Sequence, residues 1–243
     1  MPSLIEDSWE TYAKNIRLVL LFSIPFIVAF VIPLLAPLPT YISSGGIFLR
    51  SASIFLNLNP VGLAVIIMSA FISLLFLSFA FVAISLIVKA ERTFTRQPAS
   101  VLREIEKYTG RVFVVLLAYA FILTLVNILG YFLGLQEFLT PIVGFFLFMA
   151  IFYAPTAIVI DNKGVGSALN RSLDLVASKP QYFLMWVAIL VLVVGVVDFV
   201  LIHATGTLIS SYLMLIINSV FILPYFVIFQ AEAYMKRFAM LRH

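Results

Sequence analysis

The stretch GVGSALNRSLDLVASKP (residues 164–180) lies between two long apolar segments and has a pattern of its own. Its apolar residues recur at the spacing of one helical face, and its polar residues fall on the opposite face. The apolar positions are Val165, Ala168, Leu169, Leu173, Val176 and Ala177, and the polar positions are Asn170, Arg171, Asp174 and Ser178. This pattern predicts a short amphipathic helix that lies flat in the headgroup region of a membrane, directly before a membrane-spanning helix.

The composition of the chain is that of an integral membrane protein. Of its 243 residues, 63% are hydrophobic and 11% are charged, and the mean hydropathy is +1.16. Soluble domains carry about 25% charged residues, so this chain does not belong with them. Runs of about 20 apolar residues are long enough to cross a bilayer. Six such runs are found, at roughly 18–38, 61–88, 112–134, 138–160, 183–203 and 207–231.

The basic residues are segregated with respect to these six runs. Fourteen of the fifteen Lys and Arg residues fall before the first run, in the even-numbered connections or after the last run, and only Arg50 falls in an odd-numbered connection. Cytoplasmic connections carry an excess of Lys and Arg. The distribution therefore predicts a multi-pass protein of the cell membrane with both termini in the cytoplasm.

Two further segments have the pattern of the opening stretch. One has an apolar stripe at Ile5, Trp9, Tyr12 and Ile16, and the other has one at Val101, Ile105 and Tyr108. Each of the three segments ends at a polar or turn-forming dipeptide: Lys14-Asn15, Thr109-Gly110 or Lys179-Pro180. We therefore predict an all-α membrane protein, a single integral domain over residues 1–243. It contains six transmembrane helices and three cytoplasmic interfacial amphipathic helices, arranged as three pseudo-repeats over about 1–91, 97–162 and 164–234.

Each returning span reaches the cytoplasmic side at an acidic residue: Glu91, Asp161 or Glu232. A carboxylate at a helix C-terminus faces the unfavourable end of the helix macrodipole. We therefore expect each acid to pair with a cation at the start of an outgoing span. The candidate cations are Arg17, Arg111 and Lys179. Such pairs would either hold the hairpins in register or form a cytoplasmic ionic gate.

Asp198 is a carboxylate well inside a predicted span. It lies ~22 Å from position 183 at 1.5 Å per residue, in the outer part of the membrane, where a charge must be protonated, paired or hydrated. Asn127 occupies a similar depth in the third span. One hypothesis is a polar cluster of Asp198, Asn127 and Asn218 that lines a cavity open to the outside. The other is a hydrogen bond that joins two helices.

Three segments resemble one family of membrane proteins. They are FYAPTAIVIDNKGVGSALNRSLDLV (152–176), SWETYAKNIRLVLL (8–21) and QAEAYMKR (230–237). They are similar to segments of the six-helix membrane domain of the glycerophosphodiester phosphodiesterase family and of its stand-alone relatives. The resemblance implies the fold. It does not extend to diesterase activity, because the catalytic domain of that family needs metal-binding carboxylates and paired histidines, and the histidines of this chain are His203 and His243.

The residues give no catalytic set, metal site or cofactor site, and cysteine is absent from the sequence. Motifs for nucleotide or nucleic-acid binding are missing. We therefore expect a non-enzymatic protein that transports or handles lipids or small solutes through a polar site within the helix bundle. The alternative is a membrane organiser or partner-binding subunit that uses its basic cytoplasmic face. The expected partners are membrane lipids, with anionic headgroups at that face, and a protein partner or a homo-oligomer stays open.

Overall fold

The structure is a computed structural model that describes residues 2–35, 40–43, 46–49, 59–93 and 98–236. Several positions named above lie outside these residues. They are Arg50, residue 97 at the start of the predicted second repeat unit, His243, and the side chain of Val101.

The described residues are almost entirely helical. They form ten α-helices, one two-stranded sheet and one π-helical turn. In chain order these are α1 (Pro2–Lys14), α2 (Ile16–Leu35), β1 (Thr40–Ser43), β2 (Gly46–Leu49), α3 (Pro60–Thr93), α4 (Pro98–Phe132), α5 (Gln136–Ile151), α6 (Ala154–Ile160), α7 (Val165–Ser178), α8 (Pro180–Thr205), α9 (Thr207–Ile217), the π-helical turn (Asn218–Ile222) and α10 (Leu223–Met235).

Six helical stretches are long and apolar enough to cross a membrane, as the hydropathy pattern predicted. They are Ile16–Leu34, Pro60–Arg92, Glu104–Phe132, Gln136–Ile160, Pro180–Thr205 and Thr207–Met235. The fourth span joins α5 to α6, and the sixth joins α9, the π-helical turn and α10. The chain is therefore a multi-pass helical membrane protein.

Two of the three predicted surface helices are separate helices. Helix α1 ends at Lys14, before a turn at Asn15, and α7 ends before Lys179. The second is not separate, because α4 runs without interruption through Thr109-Gly110. A single glycine costs a helix only about 1 kcal/mol, and one buried stripe of α4 continues across it. That stripe is formed by Ile105, Tyr108, Val112 and Val115.

The first connection between spans contains an antiparallel hairpin. Thr40 in β1 pairs with Leu49 in β2, and Ser43 pairs with Gly46 at the turn. The hairpin contacts α2 through β2 and α9 through β1. It thus lies at the end of the bundle where α2 finishes and α9 begins.

A tight turn joins α4 to α5 at the same end of the bundle. Gly134 has φ +67°, and the Leu135 N–H bonds to the Gly130 carbonyl at 2.8 Å. This arrangement is the Schellman motif that commonly ends a helix. A side chain at position 130 would meet the Cα of Gln136 at 3.0 Å, so only glycine fits there without a shift of the backbone. The Gln136 amide donates a hydrogen bond to the Asn127 side chain at 2.9 Å and ties the two helices together.

Most of the packed core lies in one half of the bundle. We call this half the basic end because basic residues of three elements lie there. They are Lys14 at the end of α1, Arg92 near the end of α3, and Lys179 directly after α7. On α3 the buried apolar residues fall within 80–88, and on α4 they fall within 105–116. Towards the opposite end, large apolar side chains of α4, α5, α8 and α9 are exposed. The spans are therefore held together chiefly at the basic end.

Candidate functional site

Polar side chains from six segments form several sets of hydrogen bonds and ion pairs at the basic end, which together we call the polar layer. It contains all three acids that were expected at the ends of the returning spans. Its members are Thr11, Lys14, Asn15, Lys89, Glu91, Arg92, Glu104, Asp161, Arg171, Glu232 and Tyr234.

Glu232 is the most deeply buried charge of this layer, with 1% of its surface exposed. The Arg92 guanidinium donates two hydrogen bonds to Glu232 Oε2, at 2.6 Å from Nη2 and 3.1 Å from Nε. The Thr11 hydroxyl donates to Oε1 at 3.0 Å. A buried carboxylate is tolerated when it is paired and hydrogen-bonded in this way. The contacts join α1, α3 and α10.

A second set of contacts surrounds Glu91. Lys14 Nζ lies 2.6 Å from Glu91 Oε1, and the Asn15 side chain donates to Oε2 at 2.7 Å. The same Asn15 amide also donates to the Thr11 carbonyl at 3.0 Å, which accepts at the end of α1. Glu91 therefore fixes the turn between α1 and α2 against the end of α3.

Asp161 is bound from the interior of the bundle. The hydroxyl of Tyr234, a fully buried residue, donates to Asp161 Oδ2 at 2.6 Å, and Arg171 of α7 also hydrogen-bonds to Tyr234. Nearby, Lys89 Nζ donates to the Val159 carbonyl at 2.9 Å, at the C-terminal end of α6. A cation there is favourable because helix carbonyls lack partners at that end.

The expected cation partners of the three acids are corrected by these contacts. Glu91 pairs with Lys14 and Glu232 with Arg92, whereas within the described residues Arg17 and Lys179 form no ion pair. Arg111 Nη1 instead donates to neutral oxygens, the Asn162 side chain at 3.1 Å and the Lys163 carbonyl at 3.3 Å. Arg92 directly follows Glu91 and so lies about 100° around the same helix end. Because the two side chains point in different directions, the sequence could have indicated that Arg92 pairs with an acid other than Glu91.

Ser172 of α7 bridges the break between α5 and α6. Its hydroxyl accepts a hydrogen bond from the Tyr153 N–H at 2.8 Å and donates to the Met149 carbonyl at 3.4 Å. Those two backbone groups are four residues apart and would bond to each other in a regular helix. The inserted hydroxyl replaces that bond, and Pro155 follows where no N–H is available to continue the ladder. Insertion of this kind is a recognised cause of a helix kink.

The buried face of α7 includes Ser172 and differs from the apolar face predicted from the sequence. The buried residues are Ala168, Ser172, Leu175 and Val176, whereas Leu173 is 47% exposed. The opening stretch forms a helix, Val165–Ser178, but its buried face differs from the apolar face that the sequence predicted. On this buried face the Ser172 hydroxyl reaches the backbone of the α5–α6 break.

Asp198 lies on the outer part of α8 and has no bonded partner. It is half-exposed and forms no hydrogen bond or ion pair among the described residues. Asn127 bonds to Gln136, and Asn218 is buried in the π-helical turn, which packs against α2. The structure therefore does not join the three predicted cluster members by hydrogen bonds. The nearby His203 ring contacts its own helix, with Nδ1 2.8 Å from the Phe199 carbonyl oxygen.

Three aromatic rings meet where α1 contacts α10. Trp9 stacks on Tyr12 with their ring centroids 5.8 Å apart, and Tyr225 lies edge-on to Tyr12 at 5.9 Å. Burial raises the pKa of the Tyr12 phenol above its usual range, so Tyr12 is neutral in this cluster. Trp9 remains 61% exposed. The cluster anchors α1 and leaves an indole ring at the surface.

Among the residues that the structure describes, no group of three His, Asp or Glu side chains could hold a metal ion. In comparisons with known proteins, no family model, no curated protein and no solved structure matches this chain.

Proposed function

We propose that this protein is a non-enzymatic transport or lipid-handling protein and that Asp198 is its working residue. The observation that supports the proposal is a carboxylate inside a span that forms no hydrogen bond or ion pair with the residues that the structure describes. Asp198 follows Pro180 by 18 residues, which is about 27 Å along α8 at 1.5 Å per residue. An ionisable side chain at this depth is most often part of a pathway for a solute, an ion or a proton.

The competing explanation for Asp198 is a structural hydrogen bond between helices. Such a bond requires a donor on a neighbouring helix, and it contributes about 0.6 kcal/mol on average. Asp198 has no such donor within the described residues, and Asn127 is engaged by Gln136. An acid that stabilises no contact yet costs free energy in the bilayer is better explained by a role in binding.

Reconstitution into vesicles tests this proposal. We expect the protein to speed the exchange of a fluorescent phosphatidylcholine between leaflets, measured by dithionite quenching, or the flux of protons, measured with an entrapped dye. Asp198→Asn should slow the supported flux at least about tenfold, equivalent to about 1.4 kcal/mol. Its Tm should not fall, because Asp198 forms no hydrogen bond or ion pair with the described residues that the substitution could remove.

Glu137→Gln provides the matched control. Glu137 is an exposed acid at the start of α5, on the same side of the membrane as Asp198. Its neutralisation should leave the flux unchanged. Equal fluxes for the wild-type protein and Asp198→Asn, or no flux of either probe, would refute a transport or lipid-handling role for Asp198 and favour the alternative of a membrane organiser or partner-binding subunit.

We further propose that the basic end faces the cytoplasm of the cell membrane and that α1 and α7 lie along the inner leaflet. The charge bias of the connections supports this orientation. Exposed apolar side chains on both helices support the surface position, since Ile5, Trp9 and Leu173 would otherwise face water. The threefold repeat remains a proposal supported by its first and third units, and the family resemblance remains a prediction.

The absence of native cysteine makes the orientation simple to test. We expect Lys163→Cys in intact cells to resist a membrane-impermeant maleimide until the cells are lysed, whereas Glu137→Cys should react at once. Both side chains are exposed and lie at opposite ends of the bundle. The unmodified chain is the control for background labelling. Reaction of both variants in intact cells would contradict the proposed threading.

A further inference from the structure

Among the described residues, six cations at the basic end form no ion pair with an acidic side chain: Arg17, Lys107, Arg111, Lys163, Arg171 and Lys179. We give the name cationic rim to four of them. They are Arg17, Arg111, Lys163 and Lys179. All eleven Asp and Glu residues of the chain lie within the described residues, so every possible acidic side chain can be checked against them. The ion pairs formed by those acids with described cations use Lys14, Lys89, Arg92 and Lys236. The cationic rim is therefore uncompensated by side-chain carboxylates.

The polar layer explains why Asp161 and Glu91 do not neutralise the rim. Asp161 is adjacent to Asn162, which binds Arg111, yet its carboxylate accepts from Tyr234 in the interior. Glu91 lies near the start of α2 but is bound by Lys14 and Asn15 rather than by Arg17. The fold therefore engages these two acids with other partners and leaves the rim cations without them.

Arg111 is held in place by two hydrogen bonds. Its Nη1 atom donates to the Asn162 side chain and to the Lys163 carbonyl. These two neutral acceptors hold the guanidinium without cancelling its charge. Lys163, whose backbone binds Arg111, is itself exposed. A guanidinium and an ammonium group thus extend from one corner, and this combination favours a phosphate group, to which arginine binds with two parallel hydrogen bonds.

The position of the rim in the fold indicates which molecules could bring a phosphate group to it. Arg17 follows the first residue of the first span, and Lys179 precedes the first residue of the fifth span. Lys163 follows the end of the fourth span, and Arg111 lies within the first turns of the third span. Basic residues at span ends lie at the level of the lipid headgroups.

We propose that the cationic rim binds the phosphate groups of anionic phospholipids, with Arg111 and Lys163 as the principal site. This inference rests on the proposed orientation and specifies the lipid partner at the basic end. It is independent of Asp198, which lies in the opposite half of the bundle. The charges match because four unpaired cations face a surface that is rich in anionic groups.

Lipid titration of the purified protein tests the inference. We would add short-chain phosphatidylglycerol or short-chain phosphatidylcholine to the protein in neutral detergent and follow Tm by intrinsic fluorescence. We expect phosphatidylglycerol to raise Tm at lower concentration than phosphatidylcholine does. Each basic residue near an anionic lipid surface strengthens binding by about fivefold, so Arg111→Gln/Lys163→Gln should weaken the response to phosphatidylglycerol by about 25-fold.

A variant with the same change in net charge separates the rim from overall charge. Lys14→Gln/Lys236→Gln also removes two cations, but both of these are already paired with acids. This double variant should keep the preference for phosphatidylglycerol. Inorganic phosphate at the same concentration, added with phosphatidylcholine, should not reproduce the effect of phosphatidylglycerol.

The outcomes distinguish the possible ligands of the rim. Equal responses to the two lipids, or an equal loss in both double variants, would overturn the site. An equal effect of inorganic phosphate would assign the rim to soluble phosphates instead of lipid. A loss of lipid preference together with unchanged flux in the vesicle assay would confirm the rim without bearing on Asp198. Unchanged lipid preference in Asp198→Asn is expected in either case.

Discussion

Replacement of Arg92 by alanine is expected to lower the free energy of unfolding by about 3–5 kcal/mol, the usual cost of removing one partner from a buried ion pair. Of its donors among the described residues, Glu232 would retain the Thr11 hydroxyl, and it would remain surrounded by protein. The loss can be measured by unfolding in mixed micelles of a mild detergent and sodium dodecyl sulfate. The destabilisation arises because a carboxylate without its cation is costly in a medium of low polarity.

Lys14→Ala is the matched control for Arg92→Ala. The Lys14 side chain is 52% exposed, and its pair with Glu91 lies at the surface, so its loss should cost at most about 1 kcal/mol. The double variant Arg92→Met/Glu232→Met should be more stable than either single methionine variant, because no unpaired charge remains. Arg92→Ala and Lys14→Ala with equal stability would show that the Glu232 pair is not the principal contact of the polar layer.

Ser172→Ala is expected to be the other strongly destabilising substitution. It removes the hydroxyl that links the Tyr153 N–H to the Met149 carbonyl. Each buried backbone group left without a partner costs about 1–3 kcal/mol. The same unfolding titration measures this loss, and Tyr153, which is buried, should show it as a change in fluorescence.

Ser167→Ala in the same helix is the control for Ser172→Ala. Its hydroxyl is exposed and bonds only to the Gly164 carbonyl, so the variant should retain almost all of the stability. Wild-type stability in Ser172→Ala would mean that the break between α5 and α6 closes into a regular helix without the serine. In that case the kink would be caused by Pro155 alone.

The six spans could be predicted from the sequence because hydrophobic length is a property of each segment by itself. Helices over α1 and α7 could be predicted for the same reason, since each segment has a helical period bounded by a local stop. The predicted stop at Thr109-Gly110 was wrong because tertiary packing decides whether a helix continues through a weak position. There, Tyr108 and Val112 on either side of the dipeptide are both buried in the same core.

The site depended on distances that the sequence does not contain. The three acids were identified from their place at the span ends, and all three lie in the polar layer. Their partners were not predictable, because Thr11 reaches Glu232 and Asn15 reaches Glu91 across segments that are far apart in the chain. Ser172 was hidden for a related reason: a serine on an amphipathic helix has no sequence signal that distinguishes a solvated hydroxyl from one inserted in a neighbouring backbone.

The contact between Thr11 and Glu232 has a consequence for the biogenesis of the protein. The two residues are separated by 221 positions, so at about 5–20 residues per second roughly 10–45 s pass between their translation. During that interval α1 is already outside the ribosome, whereas α10, the helix that it contacts, has not yet been made. It is synthesised before α10 and can rest on it only afterwards, and a growing chain that stops before α10 would expose Leu4 and Tyr12, which are buried in the structure.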